Sequence, residues 1–139
     1  MNEQNEAMEA AHDSRQALLR RISREMTGAQ KHEFGKGPIS TRSYLFDDLL
    51  QVIMREGLTV AEKTMVRFGR ADTVRSFRQE FQDEMAKQLV DMVEQATERK
   101  VINCASQIMF DPDVVITTFI FDRSDGGFVH VEVRGDDED

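Results

Sequence analysis

The sequence lacks most of what a disulfide-stapled, membrane-spanning or metal-built protein needs. Its 139 residues include one cysteine, Cys104, so no internal disulfide can form and a reducing compartment suits the chain. Apolar runs are short, as at 114–116 and 119–121, far below the ~20 residues that cross a bilayer. The opening stretch MNEQNEAMEAAHD has neither a basic n-region nor an apolar h-region, which reads against a secretory signal and for a cytoplasmic location. His12, His32 and His130 are scattered, with no second His or Cys at ligand spacing, so a structural zinc site is not expected. The EF-hand pattern and the Gly-x-Ser-x-Gly elbow are both absent. Positive charge is scarce as well. The net charge is −8, whereas a general nucleic-acid binder needs a positive field. The GDDED stretch at 135–139 reads as a solvated tail, and its four acids carry half of that net charge. A local basic patch on the body therefore stays open.

The length suits one domain. Residues 1–34 form an N-terminal helical extension, 35–134 an α+β domain and 135–139 the acidic tail. Within the extension, 3–33 reads as helix. Leu18, Leu19, Ile22, Met26 and Ala29 make a narrow apolar stripe at 3–4 spacing. Two partners fit it: the chain's own domain, or the same helix of a second subunit in a homodimer or higher oligomer. GKGP at 35–38 then breaks the chain. It is no phosphate loop, since that motif needs a longer glycine spacing, a strand before it and a helix after it.

STRSYLF and LLQVIMRE, separated by Asp47-Asp48, predict a hairpin; one continuous helix is the rival reading. Thr59-x-x-Glu62 is a capping box that opens a short helix from about 60 to 67. Gly69 ends that helix, and Asp72 is placed to cap the next one. Val74, Phe77, Phe81, Met85, Leu89, Met92, Val93 and Ala96 then keep helical spacing over six turns, with the two phenylalanines expected as core anchors. Beyond Lys100 the pattern turns to strands: VINCASQIMF, VVITTFIFD and the alternating FVHVEVR, separated by Asp-Pro-Asp and RSDGG turns. The expected fold is α+β: a two-layer domain with a mostly antiparallel sheet of four to five strands, one long amphipathic helix across it, and the N-terminal helix. One long helix covers one face, so the other calls for the N-terminal helix or a second subunit.

Catalytic constellations are not found. Asp47-Asp48 and Asp111/Asp113 pair carboxylates that can bind Mg²⁺ or exchange protons, but turns favour Asp for their own geometry. Cys104 lies in an apolar strand pattern and reads as an inert core thiol. Basic residues are the remaining candidates. Arg75 and Arg78 lie one turn apart near a helix N-terminus, where N–H groups favour an anion. With Lys63 and Arg99 they make a candidate site for a small anion, be it bicarbonate, phosphate or a nucleotide, or for a partner's carboxylate. The bland alternative is ion pairing with Asp72, Glu80 or Glu98. No cofactor and no metal are expected.

GKGP, YLFDDLL, LTVAEKTM, VRSFRQEFQDEM, VEQATERKV and DPDVVITTFIF occur in an order that resembles the bacterial MpsC-like family, components of a Na⁺-translocating membrane-potential-generating system. The resemblance covers about 35–122. It departs at Glu98, where the family shows glycine between the threonine and the arginine. It implies a soluble accessory protein, with some relatives tied to bicarbonate uptake and membrane potential, and it brings no catalytic residues. Among the matching positions Lys63, Arg78 and Arg99 are the least readily explained by fold. The leading expectation is a non-enzymatic, cytoplasmic accessory protein of a membrane inorganic-carbon or cation-transport system, without direct membrane insertion. A small-anion sensor is the alternative.

Overall fold

The computed structural model describes residues 2–123. Their order is α1 (Glu3–Phe34), β1 (Ser40–Phe46), β2 (Leu49–Arg55), α2 (Val60–Arg67), α3 (Ala71–Thr97), β3 (Val101–Met109) and β4 (Val114–Phe121). The strand expected over 128–134, with His130, and the acidic tail lie outside the described residues.

The sheet runs β1-β2-β4-β3, and every neighbouring pair is antiparallel. β2 and β3 therefore point the same way with β4 between them, and α2 and α3 form the crossover that joins them. Hairpin wins over helix at 40–55 because Asp47 adopts a left-handed backbone (φ 54°) and Phe46 pairs directly with Leu49. The GKGP joint turns the chain from α1 into β1. Gly35 ends α1 with φ 76°, which suits a residue without Cβ. The Lys36 Nζ donates to the Glu56 carbonyl at 2.9 Å, tying the joint to the end of β2.

Period-two alternation sends Leu50, Val52 and Met54 of β2 and Val115, Thr117, Phe119 and Phe121 of β4 to one buried face. Ile22 and Met26 of α1 and Met85, Leu89 and Val93 of α3 pack there in a single cluster. Hydroxyl pairs pin α1 onto β1: Ser23 with Ser43, and Thr27 with Thr41, each at 2.7 Å. The N-terminal helix thus lies beside α3 on the same face and does not cover the second one. On that second face Tyr44 and Phe46 are exposed, and Leu49, Ile53, Ile116 and Ile120 are half-buried.

Two local expectations need correction. Asp72 does not cap α3: the cap position is Arg70, no side chain caps it, and Asp72 sits in the first turn bonded to Arg75. Phe77 is not a core anchor, being 50% exposed within an edge cluster of Phe34, Phe77 and Phe81. The early turns of α3 bury Arg78 and Gln82 instead.

Candidate functional site

A buried polar centre sits where α1, α2 and α3 meet. The Thr59 hydroxyl accepts from the Glu62 N–H at 3.1 Å, and the Glu62 carboxylate accepts from the Thr59 N–H at 2.8 Å. That capping box turns Glu62 inward. There Arg78 meets it bidentately, Nε to Oε2 and Nη2 to Oε1, both at 2.7 Å. Nη2 also donates to the Gly57 carbonyl at 2.8 Å, and Nη1 to Gln30 Oε1 at 3.4 Å. The guanidinium lies 3.8 Å from the Phe34 ring centre. Arg78 is only 2% exposed, so its donors are turned to the protein. Burial opposes charge on Glu62, but the donors of Arg78 and Thr59 outweigh it and hold the carboxyl below its ordinary value.

The four expected anion ligands do not gather at one site. Lys63 is exposed beside the pair, on a small cavity lined also by Arg55, Glu56 and Asp113. Arg75 bonds Asp72 at 3.3 Å and lies 4.8 Å over Phe110. Arg99 donates to the Asp47 carbonyl at 2.8 Å and lies 4.5 Å over Phe121. Arg99 follows the end of α3, and the stretch from Arg78 to Thr97 spans roughly 28 Å at about 1.5 Å per residue. The fold therefore brings Lys63 and Arg78 near one another and sets Arg99 at the opposite end.

The turn carboxylates are divided as well. Asp47-Asp48 lie where Leu49 faces Ile120, and Asp113 lies where Arg55 faces Val114, at the two ends of the β2–β4 pair. Arg123 donates to Asp48 at 2.8 Å and to Asp47 at 3.0 Å. That hydrogen bond lowers the Asp48 pKa. Asp113 accepts from the Leu58 N–H at 3.0 Å, a structural tie at the entry to α2. Among the described residues no group of three or more His, Cys, Asp or Glu side chains is placed to hold a metal ion. Burial, then the nearby Asp83 charge, pushes the Cys104 thiol up to about 11, so it stays protonated at neutral pH. On α1, Ile22 and Met26 are fully buried in their own domain, and Leu18 and Leu19 pack against that cluster.

One feature escaped the reading of the sequence. A cavity of about 770 Å³ runs between α1 and β1. Arg15, Arg20 and Arg24 of α1 and Arg42 of β1 line it together with His12, and among the described residues no carboxylate does. All four arginines are exposed, and among the described residues none has an ion pair, whereas neighbouring Arg21 is held by Glu25 at 2.8 Å. The 15, 20, 24 spacing was the available signal, masked by the acidic total.

The family described as Na⁺-translocating membrane potential-generating system (MpsC) matches residues 14–123 of this chain. No curated protein matches it. No solved structure does either.

Proposed function

The chain belongs to the MpsC family, and from that premise we propose that it is a non-enzymatic accessory protein of a Na⁺-translocating, membrane-potential-generating system. The observation that carries this reading is the family match over most of the chain. The geometry supports it in two ways. None of the described helices is long and apolar enough to cross a membrane, so in this reading the ion path belongs to a membrane-embedded partner. The polar centre has its hydrogen-bonding capacity turned inward, with Arg78 bonded to Glu62, Gly57 and Gln30, which suits a rigid scaffold. Removing the gene from the source organism and restoring it tests the role. The Na⁺-dependent part of the membrane potential, followed with a potential-sensitive dye, is expected to shrink on removal and to recover on restoration. An unchanged potential with and without Na⁺ would count against the proposal.

A further inference from the structure

The groove between α1 and β1 has a shape and a charge that its surroundings do not explain. Six consecutive residues of β1, 41–46, line it. Neighbouring residues of a strand point to opposite faces, so a cavity touching all six runs along the edge of the strand. β1 is an outer strand of the sheet, and among the described residues nothing pairs with its far side. Its backbone therefore offers N–H and C=O groups to an incoming strand. At ~3.3 Å per residue those six residues give a track of roughly 20 Å, enough for about six residues of extended peptide.

The walls define the chemistry of the occupant. Four arginines, in a lining that holds no carboxylate among the described residues, call for negative charge in a chain whose net charge is −8. Leu19, Tyr44, Leu45 and Phe46 supply apolar contacts between them. We propose that this groove binds an extended acidic peptide from a partner protein, added antiparallel or parallel to the open edge of β1, with acidic side chains on the arginines and apolar ones on Leu45 and its neighbours. A long nucleic acid is disfavoured. Its charge would run past the groove onto an acidic body, whereas a short peptide confines its charge to the arginines. The inference stands on the groove alone and does not depend on the role in Na⁺ translocation.

The test uses the full chain and labelled eight-residue peptides that alternate glutamate with valine or threonine, followed by fluorescence anisotropy. The account expects saturable binding that weakens as salt is raised. A peptide with lysine at the glutamate positions, and one N-methylated along one backbone edge, are each expected to bind at least about ten-fold more weakly. The triple variant R20Q/R24Q/R42Q should lose binding by a similar factor with an unchanged melting temperature, since these side chains are exposed and have no ion pair among the described residues. Equal binding of acidic and basic peptides would overturn the proposal. So would tighter binding of an oligouridylate than of the acidic peptide. A dimer in sedimentation that the triple variant abolishes, without any peptide binding, would assign the groove to a second copy and overturn it too.

Discussion

Arg78 shows how far a residue's role depends on its surroundings. Its position one turn from Arg75 at a helix start suits an anion, yet its guanidinium is already matched to Glu62, Gly57 and Gln30. Removing one partner of such a buried pair leaves the other charge without compensation. We predict that Arg78→Met destabilises the fold by about 3–5 kcal/mol, measured by urea unfolding. Glu62 adds a pH dependence of definite sign. Its folded pKa lies below the ordinary 4.5, so unfolding takes up a proton as acid is added. Its contribution is complete above 4.5 and is lost as pH falls through the lowered folded value. Glu62→Gln should remove that component: the variant starts less stable at neutral pH, and its disadvantage narrows at low pH. A gap that stayed constant from neutral to acid pH would contradict the assignment. Gln82 is also buried, and among the described residues neither of its amide atoms has a hydrogen-bond partner.

At the scale of elements, the sequence was legible wherever local chemistry decides. The Thr59–Glu62 capping box, the Asp47-Asp48 turn and the alternation along β2 and β4 each act through near neighbours, and each appears where its pattern placed it. The illegible parts depend on distant partners. The side of the sheet that takes α1 follows from Ser23 and Thr27 meeting Ser43 and Thr41. The exposure of Phe77 follows from Arg78 and Gln82 facing inward at those turns, which helical spacing does not reveal. The arginine groove joins residues from two elements, and only the fold makes them one surface. Glu98 stands where the sequence departs from the family's glycine, and the left-handed turn is kept there all the same. It closes α3 with φ 58°, a left-handed conformation that glycine adopts without strain. Glu98→Gly is expected to raise stability by about 0.5–1 kcal/mol, the relief of strain exceeding the added freedom of the unfolded chain. An unchanged or lowered melting temperature would mean that the Glu98 side chain contributes more than its backbone conformation costs.

At the scale of the whole molecule, the described residues form a two-layer α+β domain, with α1 and α3 on one sheet face and none of these residues layered on the other. Its acidic charge is interrupted by the four arginines between α1 and β1. Strong ties hold the Glu62–Arg78 pair inside, while an open strand edge and four exposed arginines without an ion pair among the described residues lie at the surface. That distribution suits a protein that acts by being bound. Its family places the relevant system in a membrane, and none of its described helices could cross one. Cross-linking in living cells of the source organism, followed by purification of the tagged chain and mass spectrometry of the linked peptides, tests the accessory role most directly. The account predicts cross-links to an integral membrane protein of an ion-transport system; cross-links only to soluble proteins or to other copies of itself would contradict it.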